Sequence, residues 1–211
     1  LGSVLGSLLA GYAVLPLLGG QWSLTAIAAA FGGAGLLARP APRTAGFGRA
    51  ATLATAAVAA VLLALAPAWD GAALTSGVNV YFDGGRGPER IVYRAEDVHG
   101  GITTVTEKDG VHTLLTNGKF QGNDGGEVAA QRFFAHYPAL FVDRFDRALV
   151  IGLGTGTTLD TVAAYPFANV EIAEISPSIV RAARAHFGHV GAARLGDPRV
   201  VGTTLAAVAK L

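Results

Sequence analysis

Read for the spacing of its apolar positions, the chain changes character at Asp70. No charged residue interrupts the apolar runs Leu1 to Gly20, Trp22 to Leu37 and Ala50 to Trp69. Each run approaches the roughly 20 residues that a helix needs to cross a bilayer. Three membrane spans are the expectation, the second the weakest because Gly32, Gly33 and Gly35 dilute it and Arg39-Pro40 close it. After Asp70, glycine and turn residues continue to Pro88 and read as a linker with one short strand around Val78 to Phe82. β-branched runs follow at Ile91 to Arg94, Ile102 to Thr106 and Val111 to Thr116. The turn-forming Glu107-Lys108-Asp109-Gly110 separates the last two, so a small antiparallel β unit is predicted. From Glu127 to Leu140 the apolar residues Val128, Phe133, Phe134 and Tyr137 return at helical spacing ahead of Pro138.

The next segment carries the strongest chemical signal. An apolar strand, Ala148-Leu149-Val150-Ile151, runs into Gly152-Leu153-Gly154-Thr155-Gly156, and a helical stretch follows from Thr157 to Ala164. Glycines at a strand-to-helix turn let the backbone bend sharply and approach a ligand, while the helix start offers unpaired N–H groups. A second strand, Val170 to Ile175, brings Glu174 about twenty residues downstream, where a carboxylate can accept hydrogen bonds from both ribose hydroxyls. Glu171 has the opposite face parity, so only one of the two acids reaches the loop edge. The spacing Gly-x-Gly-x-Gly favours an S-adenosylmethionine-type ligand over a dinucleotide, and the absence of Lys-Ser/Thr after the glycines excludes a P-loop.

Charge sharpens this division. The sequence is 51% hydrophobic and 15% charged, but the only charges before Asp70 are Arg39, Arg43 and Arg49. The remainder holds 13 basic and 15 acidic residues, 13 − 15 = −2, which leaves no basic field for nucleic acid. Cysteine is absent, excluding disulfides, Cys-x-x-Cys zinc sites and a cysteine nucleophile. Methionine is absent too, even at position 1, so Leu1 reads as an internal start. Small residues recur every four, as Gly2, Gly6, Ala10 and Ser3, Ser7, Gly11, which suits close approach of another helix. The basic loop Arg39 to Arg49 would lie in the cytoplasm by the positive-inside rule, placing Asp70 outside. An adenosyl ligand is cytoplasmic, and the expectation adopted is a multi-pass protein of the cell membrane with its soluble part on the cytoplasmic side.

Several residues have ordinary readings. His186 and His189, three apart at a helix end with no acid in helical register, read as helix C-terminal caps rather than a metal pair, and His136 closes its own helix in the same way. No metal site is expected. Asp197 shapes a turn into the third strand, and Gln121 can serve either as a turn amide or as a ligand contact.

Taken together, these motifs resemble the spermidine synthase family of aminopropyltransferases, in particular a bacterial branch fused to a transporter-like membrane region. The resemblance covers about Trp69 to Val200. It rests on Pro67-Ala68-Trp69-Asp70, Asn117-Gly118-Lys119-Phe120-Gln121, Gln131, His136-Tyr137-Pro138, the Gly152 loop, Glu174-Ile175-Ser176-Pro177 and Asp197-Pro198-Arg199-Val200. It implies transmembrane α-helices over 1–69, a linker and small β domain over 70–122, and an incomplete Rossmann-like α/β domain of the S-adenosylmethionine-dependent transferase type over 123–211. It also implies transfer of an aminopropyl group from decarboxylated S-adenosylmethionine to putrescine or a related amine, and a homodimer. The ligand-binding residues it implies are Gln121 and Gln131 near the reacting end, Gly152, Gly154, Thr155 and Gly156 in the loop, and Glu174 on the ribose. Glu127 matches an acid placed just upstream.

Two departures bear on activity. Soluble family members carry an Asp at the Thr155 position, which binds the donor amine, and a Tyr at the Ala130 position. The strand-four Asp that acts as general base in the family has no counterpart up to Leu211, so the catalytic residue is unassigned and the chain is expected to be inactive alone. An S-adenosylmethionine-dependent methyltransferase and a non-catalytic polyamine-sensing or transport protein are the rival readings.

Overall fold

The computed structural model describes residues 2–37, 45–82, 89–97, 99 and 101–204. Most of the basic loop after Leu37, the end of the linker before Pro88 and the tail beyond Thr204 lie outside the described residues. The chain divides into two compact units, Leu1–Trp69 and Asp70–Leu211.

In the first unit, α1 (Gly2–Leu9) passes through a π-helical turn (Ala10–Val14) into α2 (Leu15–Leu37). α3 (Ala45–Ala64) follows. Gly19 leaves the helical region at φ 73° and ψ 174°, a conformation that only glycine adopts at low cost. The break falls between the first two expected apolar segments; taken through that kink, the helical run Gly2–Gly35 is 34 residues long. It is the one helix among the described residues that is long and apolar enough to cross a membrane, and the apolar stretch Leu53–Ala64 falls short of that length. Gln21 ties the end of this unit back on itself, donating to Pro67 O at 3.0 Å and accepting from Trp69 N at 2.9 Å.

The second unit opens with α4 (Gly71–Thr75), whose first N–H groups at Ala72 and Ala73 are capped by Asp70 at 2.8 and 3.2 Å. The strand expected near Val78 is instead one helical turn, α5 (Val78–Tyr81). Gly77 at φ 82° and Phe82 at φ 55° bend the backbone left-handed on either side. Between them Tyr81 N and Phe82 N bond to Gly77 O and Val78 O at 2.8 and 2.9 Å, so the apolar alternation there is too short and too tightly bounded to extend.

Four antiparallel strands form the first sheet in the order β1 (Arg90–Asp97), β2 (Gly101–Lys108), β3 (Val111–Thr116), β4 (Lys119–Asn123). Two-residue turns with both central residues at positive φ close its last two hairpins. These are Asp109-Gly110 at 52° and 80° and Asn117-Gly118 at 50° and 77°, the geometry that Asx-Gly pairs favour between right-twisted strands. Gln121 is therefore a residue of β4, not of a turn.

α6 (Val128–Ala139) leads to a parallel sheet ordered β5 (Arg147–Ile151), β6 (Asn169–Glu174), β7 (Val200–Thr204). α7 (Thr157–Ala164) and α8 (Pro177–His186) form the crossovers. Glu127 and Leu140 flank α6 as its caps, so the helical spacing marked its ends, but Phe133, Phe134 and Tyr137 are 65%, 73% and 66% exposed. Asp197 accepts from Arg199 N at 2.9 Å and pairs with its guanidinium, which also donates to Ala163 O at 2.9 Å. That pairing fixes the turn into β7 and holds the Asp197 carboxyl below the usual carboxylate range. Both sheets share one core, in which Val105 and Leu114 of the β unit pack with Leu159, Val170, Ile172 and Phe187.

Candidate functional site

The Gly152 loop begins where β5 stops. Its three glycines all have positive φ, 84° at Gly152, 53° at Gly154 and 87° at Gly156, yet their surroundings differ. A Cβ built on Gly152 or Gly154 meets nothing within 4 Å, whereas one on Gly156 would lie 2.6 Å from Ala192 N. Gly152 and Gly154 thus leave bare backbone facing open space, and Gly156 is glycine because another backbone segment passes against it.

Glu174 ends β6 beside this loop and is 7% exposed. Its Oε2 accepts Leu153 N–H at 2.8 Å and its Oε1 accepts Ser176 N–H at 2.9 Å. Each carboxylate oxygen keeps a further lone pair for a ligand hydroxyl. Glu171, on the other face, pairs with Arg147.

An open cleft of about 390 Å³ gathers these groups, with Gly152, Gly154 and Glu174 on one side and Gln121, Thr116 and His99 on the other. The Thr116 hydroxyl is buried without a protein partner, as are those of Thr103 and Thr104. A larger cleft of about 510 Å³ runs along the outer side of β5, where Phe134, Pro138, Val142 and Leu149 dominate the lining and Arg147 is the one charge. The smaller cleft holds the bare glycine backbone and the Glu174 carboxylate and is the candidate site, at the carboxyl ends of parallel strands where α/β sheets bind ligands.

Of the residues singled out from sequence, Gln121, Gly152, Gly154 and Glu174 line this cleft together. Gln131 and Thr155 lie behind the loop instead. Thr155, 1% exposed, donates to Gln131 Oε1 and shares a hydrogen bond with Thr157 at 2.9 Å. Gln131 Nε2 in turn donates to Asn123 O at 3.3 Å. Glu127 is exposed at the start of α6 and is not part of the cleft lining. His99, Thr116 and Ser176 were missed as cleft residues. For Ser176 a signal existed, since Ser-Pro ahead of a helical run marks a cap, but nothing in the spacing singled out His99 or Thr116.

His136 and His186 stand in the last turns of α6 and α8, as the capping expectation has them, whereas His189 lies beyond α8. An acid does reach His189, but from another element: Asp124 Oδ2 lies 3.1 Å from His189 Nε2 and 2.9 Å from His112 Nδ1. His136 turns to the Tyr165 hydroxyl at 2.8 Å. Partial burial, and then the nearby His112, push the His186 imidazole below its ordinary value.

With strand order and cleft in hand, the likeness to solved structures is specific. A spermidine synthase crystallised with the transition-state analogue AdoDATO superposes with a TM-score of 0.51 over 55% of this chain and 39% of its own, at 20% identity. Over that matched part the two chains share a fold. A second example, from Thermotoga maritima, gives 0.51 over 55% of this chain and 40% of its own, again at 20% identity. A polyamine aminopropyltransferase from Aquifex aeolicus (strain VF5) is 28% identical over 69 residues, 33% of this chain and 14% of that protein. The chain therefore spans well under half the length of these relatives. No family model matches it.

Proposed function

We propose that the Asp70–Leu211 unit holds the nucleoside end of an S-adenosyl ligand and belongs to an aminopropyltransferase acting on decarboxylated S-adenosylmethionine and a small amine. The observation that carries this reading is the Glu174 carboxylate, fixed by two backbone N–H groups over bare glycine backbone. Such an acid is preorganised for a ribose diol, and its position costs nothing to establish when the ligand arrives. Gln121 lines the same cleft and offers a neutral amide for hydrogen bonding.

In aminopropyl transfer the amine nitrogen forms a bond to the carbon next to the sulfonium as the C–S bond breaks. The electron pair passes to sulfur, a neutral thioether leaves, and the amine gives up a proton to a base. The cleft residues described here bind and align, which supplies the orientation part of catalysis. Glu174, committed to two N–H groups, is assigned to the ribose and not to the base.

One observation favours a methyltransferase as the second reading. Thr155, where soluble family members carry the donor-binding Asp, is buried and spends its hydroxyl on Gln131 and Thr157. Calorimetric titration with decarboxylated and with carboxylated S-adenosylmethionine separates the two. Preference for the decarboxylated form supports aminopropyl transfer, preference for the carboxylated form supports methyl transfer, and binding of neither overturns both. Attachment to the cell membrane through the apolar Gly2–Gly35 helix, with the cleft facing the cytoplasm, belongs to the same proposal. Retention of the chain in membranes after an alkaline wash is the expected result.

A further inference from the structure

Asp97, at the end of β1, carries no signal in the sequence, yet its side chain is committed to the rim of the cleft. Its Oδ2 accepts the Ser176 hydroxyl at 2.7 Å and Ser178 N–H at 3.1 Å. Its Oδ1 accepts His99 N–H at 2.9 Å. Ser176 is fully buried and uses the same hydroxyl oxygen to cap α8, accepting Ile179 N–H at 3.2 Å. The Ser176 N–H donates to Glu174 Oε1 at 2.9 Å. A continuous path of hydrogen bonds thus runs from the β unit, through Ser176, to the acid at the end of β6, and both His99 and Ser176 line the cleft.

We infer that Asp97 is a positioning residue for nucleoside recognition, holding Ser176 and His99 so that Glu174 presents its free lone pairs to the ribose hydroxyls. This rests on the ligand class proposed above. Three donors converge on the two oxygens of Asp97, and only a carboxylate accepts at both without a donor of its own. An amide in its place turns its NH₂ group toward Ser178 N–H or toward His99 N–H, setting donor against donor whichever way it rotates. Its negative charge also lies at the start of α8, where the unpaired N–H groups favour an anion. Capping alone would make Asp97 a stabiliser of α8, and the test separates that role from positioning.

The probe is 5′-methylthioadenosine, compared with its 2′,3′-dideoxy analogue, titrated into the full 211-residue chain in detergent by calorimetry. Wild type and Glu174→Gln set the scale, since the ratio of the two affinities measures recognition of the ribose hydroxyls. Asp97→Asn is expected to weaken methylthioadenosine binding about tenfold, the scale of one mispaired charged hydrogen bond. The dideoxy analogue should be weakened far less, so the ratio collapses toward that of Glu174→Gln. Ser176→Ala, which removes the link and keeps the Asp97 charge, should collapse it too, and it stands in if Asp97→Asn fails to fold. A lowered melting temperature with an unchanged ratio would make Asp97 a helix cap only and overturn the inference while leaving the ligand class intact. Failure of the wild type to bind methylthioadenosine overturns both.

Discussion

Gly156→Ala tests the structural half of the glycine loop. The added methyl meets backbone, Ala192 N at 2.6 Å and Ala192 Cα at 2.8 Å, and neither can swing aside as a flexible side chain would. Two costs add. An L-residue held at φ 87° loses about 1–2 kcal/mol, and overpacking against fixed atoms adds about 1–3 kcal/mol. The sum, roughly 2–5 kcal/mol, lowers the melting temperature by about 5–15 °C for a unit of this size. Gly154→Ala provides the contrast. Its φ of 53° costs a similar backbone term, but nothing lies within 4 Å of the new methyl, so stability falls by only about 1 kcal/mol while the methyl enters the space above the loop. Thermal unfolding by circular dichroism, run beside methylthioadenosine titration, reads both. Gly156→Ala melting within about 2 °C of wild type would refute the close backbone approach. Full ligand affinity in Gly154→Ala would refute the loop as the ligand seat.

Thr155→Val keeps shape but removes a buried hydroxyl that bonds both Gln131 and Thr157. It should cost about 1–3 kcal/mol in urea unfolding, and a double-mutant cycle with Gln131→Ala should show clear non-additivity; additive effects would dissolve the pair. His186 makes stability pH-dependent. Its imidazole is depressed in the fold by partial burial and then by His112, so the unfolded chain binds more protons. Its contribution is therefore complete above the ordinary imidazole value and is lost as pH falls below it. Replacing His186 by Phe should flatten the loss of urea midpoint between about pH 7 and about pH 5, and an unchanged pH slope would refute this.

What the sequence disclosed follows how local each signal is. The Asp109-Gly110 turn, the glycine loop and the Glu174 strand end all depend on neighbours within a few positions, and all three stand in the structure where their patterns put them. Val78 to Phe82 misleads because so short an apolar segment fits a strand and a helical turn equally, and the deciding features are the left-handed Gly77 and Phe82. Asp124 meeting His112 and His189, and Asp97 meeting Ser176 across 79 positions, have no local signature. Such contacts arise from how the β unit lies on the parallel sheet, which no periodicity encodes. Gln131 and Thr155 are ligand contacts by position in the motif, but in the structure the buried Thr155 hydroxyl donates to Gln131.

That lie of one sheet on the other makes a last prediction. The cleft draws His99, Thr116 and Gln121 from the β unit and Gly152, Gly154 and Glu174 from the parallel sheet, so its shape depends on the two moving as one body. The shared core supports this, because Leu114 of β3, fully buried, packs in the same cluster as Leu159 and Phe187. Leu114→Ala should therefore cost about 2–5 kcal/mol, and the loss should not stay within the β unit. Hydrogen exchange provides the discriminating measurement. If the two sheets unfold cooperatively, amides of β5 and β6 lose protection in parallel with those of β2 and β3. Unchanged protection in β5 and β6 would mean that the parallel sheet stands alone and that the cleft can open along the boundary between them.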